Sequence, residues 1–434
     1  MPKLARLSVL ALLLLASSSF AQADDAWFDR QADDLVGLYT HLHANPELSF
    51  KEVKTAKRIA DELRKAGYEV TEGVGKLGVV GLMRNGEGPT ILVRSDLDAL
   101  PVVEATTLPY ASKVLTKDDD GKEVGVMHAC GHDIHMTCLV GVARWLAEHK
   151  EKWSGTVMLI GQPAEEKIGG AKAMLKDGLY KRFPKPNFAL ALHVAHDLEA
   201  GKLAYISGPA MASSTSVDVT IRGKGGHGAM PQSTVDPIVL AALFVVDLQS
   251  IVAREINPIH PAVITVGSIH GGSKHNIIGS EVHMQLTLRS YREDVTQALI
   301  DGIQRRAKGL SEAHRAPAPT ISITETTPPT INDPALVAKV VPMLAAAVGA
   351  ENVTTVDPTM GAEDFGLFGE GGVPTFMFRL GTIQPDRVAT FKGKNLPLPS
   401  LHSALYAPDP KPSIKTGVTA MSAAVVGLLP PKTR

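Results

Sequence analysis

The chain has 434 residues, 44% of them hydrophobic, and a formal net charge of −1. That is apolar material for a large core and length for about two domains, while a near-neutral charge excludes the electrostatic footprint of a nucleic-acid binder. Two cysteines, Cys130 and Cys138, exclude a disulfide-built scaffold.

Residues 1–23 carry Lys3 and Arg6, the apolar run Leu7–Ala16 and the small-residue stretch Ala21-Gln22-Ala23. This is the layout of a cleaved secretory signal, so the expectation is an exported, periplasmic or secreted protein starting at Asp24. Removing the segment takes two positive charges and no acid. The run is shorter than the roughly 20 residues of a membrane span, and no later uninterrupted charge-free stretch reaches that length.

Phe28, Leu35, Leu38, Tyr39 and Leu42, and then Val53, Ala56, Ile59, Ala60 and Leu63, recur at helical spacing and predict two amphipathic helices. Short apolar runs at Val79–Met83, Thr90–Arg94, Thr156–Ile160 and Phe188–His193 alternate with helical stretches at Ile134–His149 and Ala171–Leu179. They read as strands of a mostly parallel sheet covered on both faces. From Ser213 the order becomes βαββαβ: Ser216–Arg222, a helix near Asp236–Ile251, Ala262–Ile269, Glu281–Arg289, a helix near Val295–Gly309, and Thr320–Thr326. That order suits a small antiparallel sheet with helices on one face, ferredoxin-like in type. After Pro328 the α/β texture returns, with a helix near Pro334–Val348, the strand Val373–Arg379 and a closing helix near Ser413–Leu428. The predicted architecture is an α/β domain over 24–212 and 329–434, interrupted by an α+β domain over 213–328.

Polar residues follow the strands directly: Asp96 and Asp98 after Ile91–Arg94, Glu165 and Glu166 after Thr156–Ile160, and His193 closing Phe188–Leu192. Ligands of open α/β sheets sit at the carboxyl ends of strands. Met127-His128-Ala129-Cys130-Gly131-His132-Asp133-Ile134-His135 packs ligand types for zinc and related metals into nine positions. Gly131 permits a tight turn that aims Cys130 and His132 at one point; the competing reading of Cys130 is a disulfide to Cys138. His128 and His135 are left for supporting or surface positions. Adjacent residues at a strand exit rarely point the same way, so one of Glu165 and Glu166 is expected to bind metal and the other to face the water as general base. His193 could equally be a buried neutral core histidine, and His402, in the Pro-rich connection Leu396–Pro412, an exposed one.

Seven strings in order, His43-Ala44-Asn45-Pro46-Glu47-Leu48, Arg94-Ser95-Asp96-Leu97-Asp98-Ala99-Leu100-Pro101, Met127 to His135, Gln162 to Glu166, Gly223 to His227, Gly361-Ala362-Glu363-Asp364-Phe365 and Leu401-His402-Ser403, resemble the dinuclear metallo-amidohydrolases. That family includes hippurate hydrolases, auxin–amino-acid conjugate hydrolases and N-acyl-amino-acid deacylases, relatives of the aminoacylases and glutamate carboxypeptidases. The resemblance spans about His41 to Asp409. It implies two divalent ions, zinc, manganese or cobalt, held by Cys130, His132, Glu166, His193 and His402, with Glu165 as base and Asp98 as a supporting acid. It also implies that the inserted domain is a lid that mediates a homodimer, that His227 reaches the partner's site to stabilise the oxyanion, and that Asn276 and Arg289 hold the substrate carbonyl or carboxylate. Two departures, Gly279 after Asn276-Ile277-Ile278 and Gln232 after Pro231, touch the lid and the substrate-facing loop.

The expected activity is hydrolysis of an amide bond beside a free carboxylate in N-acyl or N-aminoacyl amino acids. Two rivals stand beside it: a dipeptidase or aminopeptidase, which needs an acidic group for a free amine, and a metal-containing binding protein without catalysis. A Ser-centred motif of the Gly-Xaa-Ser-Xaa-Gly type does not occur.

Overall fold

The computed structural model describes residues 25–431; the expected leader lies outside them. The chain forms two compact units. One holds the described residues up to Gly208, Asn332–Asp357 and Phe368 onward, and the other Pro209–Ile331 with Pro358–Leu367. Pro358–Leu367 thus joins the second unit although it lies beyond the 213–328 expected for the inserted domain.

The first unit is built on an eight-stranded sheet in the order Glu69–Val74, Gly78–Asn85, Gly155–Gln162, Thr90–Asp96, Phe188–Glu199, Thr375–Ile383, Leu203–Tyr205 and Val353–Thr355. Its central strands pair in parallel: Thr90–Asp96 with Gly155–Gln162 and Phe188–Glu199, and the latter with Thr375–Ile383. Every residue of Thr90–Asp96 is buried, which is why Val93 and Ile91 run on without polar alternation. Helices 25–44, Val53–Lys65, His132–Glu148, Pro334–Val348 and Pro410–Leu428 carry the apolar residues that complete the core, among them Trp27, Tyr39, Trp145 and Met421. Asp-Pro pairs open helices here: at Asp333-Pro334 the Asp333 carboxylate accepts the Leu336 amide at 2.8 Å, with proline at the first helical position.

The second unit has a four-stranded antiparallel sheet, Ala262–Gly271, Glu281–Ser290, Ser214–Arg222 and Thr320–Thr327 in that order. Glu281–Ser290 alternates strictly, burying Val282, Met284, Leu286 and Leu288 under Phe244, Leu248 and Leu299 of the helices Pro237–Arg254 and Glu293–Ala313. The helix Pro237–Arg254 is long and apolar enough to cross a membrane. Asp247 interrupts its apolar run, and Leu240, Ala241, Phe244, Leu248 and Ile251 pack into the unit's own core. Its other side leaves Val239, Leu243 and Val246 exposed.

Several boundaries move. Phe188–Glu199 continues well past His193, which therefore sits inside a strand rather than at its end, and the expected helix Ala171–Leu179 divides into Gly170–Lys176 and Leu179–Arg182 around Gly178, whose φ is 86°. A glycine in the left-handed region ends one helix before the next begins.

Candidate metal centre

Five segments of the first unit meet beside the central strands: Asp96–Asp98, Cys130–His132, Glu165–Glu166, His193 and His402. Gly131 has φ 78° and precedes the helix His132–Glu148; a methyl group at its Cα would fall 2.7 Å from Val194 Cγ2. Only glycine fits this turn, which brings Cys130 and His132 to one place. Cys130 Sγ lies 3.7 Å from His193 Nε2. Both cysteines are free thiols, so the alternative of a Cys130–Cys138 disulfide is set aside.

His132 Nδ1 donates to the Asp98 carbonyl at 2.8 Å, and His193 Nδ1 to the Val194 carbonyl at 2.8 Å. In its neutral form each ring is thus left with Nε2 as its lone-pair nitrogen, the tautomer a metal ligand needs. Around His132 Nε2 stand Asp96 Oδ2 at 3.5 Å, Glu166 Oε1 at 3.8 Å and Glu165 Oε2 at 3.9 Å. Glu166 Oε1 is 3.5 Å from His402 Nε2. His402, at φ 66°, is fixed by its amide donating to the Ala129 carbonyl. Cys130, His132 and His193 form one group with ligand atoms within 4.8 Å of one another, and Cys130, Glu166 and His402 another.

His132 Nε2 and Glu166 Oε1 are buried without a hydrogen-bond partner. Unpaired buried polar atoms are costly unless something else satisfies them. Sulfur, imidazole and carboxylate ligands surrounding these atoms suit a divalent transition-metal ion. The electrostatics agree. Burial pushes the Glu166 carboxyl up to about 7, with Asp98 and Asp96 adding to the rise against the opposing His132. Burial, then Glu166, raises the Cys130 thiol. For His132, burial would lower the basicity, but Asp96 and Cys130 outweigh it and hold it well above the ordinary imidazole range. Such a crowd of donors favours bound positive charge.

The expectation that Glu165 and Glu166 diverge is corrected: both carboxylates come within 4 Å of His132 Nε2. Ala164, at φ 50°, turns the chain before them, so the alternation of an extended strand does not apply. Asp98 is fully buried, accepting from Ser49 Oγ at 2.6 Å and from the Glu166 amide at 3.0 Å.

A layer behind the ligands was only partly read. Asp96 Oδ1 lies 2.7 Å from His135 Nδ1, Arg94 Nη1 donates to Asp96 Oδ2 at 2.7 Å, and the Val194 amide donates to His135 Nε2 at 2.9 Å. His135 is therefore neutral, giving a proton to Asp96 and receiving one from the residue next to His193. The signal was present: Arg94 and Asp96 share one face of a buried strand, where charges persist only as partners. His128 and His135, placed in supporting or surface positions, are both buried.

His227, Asn276 and Arg289 belong to the second unit. A short ribbon pairs Gly226–His227 with Ile277–Ile278, and the Gly228 amide donates to the Asn276 carbonyl, so His227 and Asn276 are neighbours. His227 is exposed; its Nδ1 accepts the Ala229 amide at 3.0 Å, leaving Nε2–H as a donor to solvent. Arg289 is half-buried on the sheet face opposite Leu286 and Leu288, its basicity lowered by burial, with no ion pair among the described residues.

The family model for peptidase family M20/M25/M40 matches residues 92–404. The chain is 37% identical over 354 residues to thermostable carboxypeptidase 2 of Saccharolobus solfataricus, covering 81% of this chain and 86% of that one. It is 38% identical over 331 residues to hippurate hydrolase of Campylobacter jejuni, covering 76% and 83%. A solved Bacillus subtilis protein, described as a dinuclear metal binding peptidase from the M20 family, superposes with a TM-score of 0.75 at 28% identity, covering 92% of this chain and 99% of that one. A match over most of the length, by sequence and by fold, joins the converging thiol, imidazoles and carboxylates to a known chemistry, and the chain belongs to peptidase family M20/M25/M40, as a metal-dependent hydrolase of C–N bonds.

Proposed function

We propose that the protein hydrolyses the amide bond of N-acyl or N-aminoacyl amino acids that carry a free carboxylate. Cys130, His132, Glu166, His193 and His402 would hold two divalent ions, which supply Lewis acidity to acidify a water and polarise the scissile carbonyl. The observation that carries the reading is the convergence of buried, unpartnered His132 Nε2 and Glu166 Oε1 on the Glu165 carboxylate. Glu165, 5% exposed, takes the proton from the attacking water and passes it to the leaving nitrogen. Asp98 keeps the His132 imidazole in its ligand tautomer and steadies Glu166 through its amide. His227 donates Nε2–H to the developing oxyanion, and Asn276 holds the substrate carbonyl. Arg289, a half-buried guanidinium without a partner acid among the described residues, takes the free carboxylate, where a planar fork can bind both oxygens.

The protein is proposed to act as a homodimer through its second unit. Val239, Leu243 and Val246 form an exposed apolar stripe, and Ala262–Gly271 is an edge strand of the same unit. Such features mark association surfaces. Export through residues 1–23 is part of the same reading, and amino-terminal sequencing of the exported protein should find Asp24 first.

The test is a panel of N-acyl amino acids, N-acyl amino-acid amides and free dipeptides, run with the zinc, manganese and cobalt forms. Glu165→Gln should lower turnover by about 10²–10⁴-fold while metal content stays at the parental level. Near-parental turnover in that variant, or activity after thorough chelation verified by metal analysis, would remove the mechanism. Preference for free dipeptides would favour the dipeptidase, and no cleavage of any member the binding protein.

A further inference from the structure

Glu52 stands at the position preceding the helix Val53–Lys65, where an acidic side chain ordinarily caps its own helix. It makes no such bond. Glu47 does that work instead: one of its carboxylate oxygens accepts from the Thr55 amide at 2.8 Å and from Thr55 Oγ1 at 2.9 Å. The Glu52 side chain turns inward, fully buried, and its Oε1 accepts the Ala164 amide at 2.7 Å, across 112 positions of chain. Oε2 is buried without a hydrogen-bond partner, so the Ala164 amide is the partner that this carboxylate reaches on another element.

Its target is, like His402, a non-glycine residue of the site at positive φ. Ala164 has φ 50°, a conformation that an alanine keeps only when its surroundings impose it. The rest of the turn is held as well: the Gly169 and Gly170 amides donate to the Ala164 carbonyl, and the Ile168 amide to that of Glu165. A methyl group on Gly170 would fall 1.5 Å from the Pro163 carbonyl oxygen, so position 170 admits glycine alone. On the far side of Glu165, the Glu166 amide is taken by Asp98 Oδ2. Two buried carboxylates thus grip the amides on either side of Glu165, one from the sheet edge and one from the amino-terminal helical layer.

We infer that Glu52 is a positioning residue for the Glu165–Glu166 pair: by accepting the Ala164 amide it holds the left-handed turn that points two successive carboxylates at one spot. Assigning it a role in turnover rests on the reading of Glu165 as base; its role in aiming Glu166 does not. What the geometry demands of position 52 is an acceptor at the right reach, not a charge. Glutamine should serve, while alanine and aspartate, which ends one methylene short, should fail.

The test uses the purified full chain. Stopped-point kinetics on the N-acyl amino acid cleaved fastest in the panel are combined with manganese titration of the metal-stripped protein by calorimetry. Glu52→Ala and Glu52→Asp should lower kcat about 10–100-fold and weaken manganese binding about tenfold, as losses behind a ligand do. KM should stay within about twofold, and Glu52→Gln within about threefold of the parent in every readout. In a Glu165→Gln background assayed at saturating manganese, Glu52→Ala should cost clearly less kcat than in the parent, since one of the two carboxylates it aims is already disabled; a merely structural residue would lose the same factor in both backgrounds. Parental kcat and manganese affinity in Glu52→Asp, or glutamine as impaired as aspartate, overturns the inference. If Glu165→Gln retains its rate while manganese affinity still follows position 52, the base assignment fails and the positioning of Glu166 stands. Should Glu52→Ala not fold, the aspartate and glutamine variants decide alone.

Discussion

His43 lies in helix 25–44 with Nδ1 2.7 Å from Asp133 Oδ2 and Nε2 3.1 Å from Glu104 Oε1, edge-on to Tyr110. Burial by itself would lower its pKa, but the hydrogen bonds to Asp133 and Glu104 outweigh that and hold it at about 9, above the ordinary 6.5. The folded state therefore prefers the protonated ring. Its stabilisation is complete below about pH 6.5 and is lost as pH rises through about 9. Urea midpoints between about pH 6 and 10 should fall in the parent and lose that part of the decline in His43→Gln; parallel curves would show that the pair contributes nothing through this proton. Arg289 makes a second prediction at this scale. If Arg289 takes the free carboxylate as proposed, Arg289→Met should raise KM for carboxylated substrates by about tenfold or more, with little change for the corresponding amides. Equal loss on both would assign Arg289 to the fold of its sheet.

Among the elements, what could be read in advance divides by how far apart the partners lie in sequence. The segment 127–135 announced itself because Cys130 and His132 are local to one turn and Gly131 explains the turn. Glu165 and Glu166 were visible from their place after a buried strand. Their common direction was not, because it depends on a backbone angle at Ala164 that no residue type there would suggest. His402 sits in a loop, and its own neighbourhood offers no periodicity or ligand density; only the ordered family strings brought it in. Glu52 was hidden for the opposite reason. It precedes an amphipathic helix and reads there as a routine cap, while its partner lies on another element altogether. The Gly131 turn carries its own prediction: Gly131→Ala adds a Cβ at φ 78° against Val194, both a conformational and a packing fault. Metal binding should weaken and the melting temperature fall by several degrees, for a cost of about 1–3 kcal/mol. An unshifted melting temperature with full metal content would show that the helix start can relax.

For the whole molecule, the question is association. The mostly parallel sheet of the first unit and the antiparallel sheet of the second are legible from the change in texture along the chain, because the central strands bury both faces in one case and one face in the other. The apolar stripe on Pro237–Arg254 was not, since Val239, Leu243 and Val246 look in sequence like the rest of a buried helix. Leu243→Glu combined with Val246→Glu adds charge to positions outside the unit's core. If the parent is the proposed dimer, light scattering should report monomer for the variant, and if His227 acts across subunits, turnover should fall with it. A monomeric parent would withdraw the dimer, and a monomeric variant with parental turnover would place His227 in its own subunit's reaction.

The left-handed Ala164 has a further consequence, one that concerns the unfolded chain. Ala164→Gly would release an angle that costs an alanine roughly 1–2 kcal/mol. Against that, glycine gains freedom in the unfolded ensemble, about 0.4–1 kcal/mol, and the buried methyl is lost at about 0.8 kcal/mol. The terms nearly cancel, so the melting temperature should barely move. Turnover should not follow it: a glycine can leave the bend at little cost, and the carboxylates that depend on the bend would spend less time together. At this position evolution could change rate without changing stability, and a thermal-shift measurement alone would report the variant as silent.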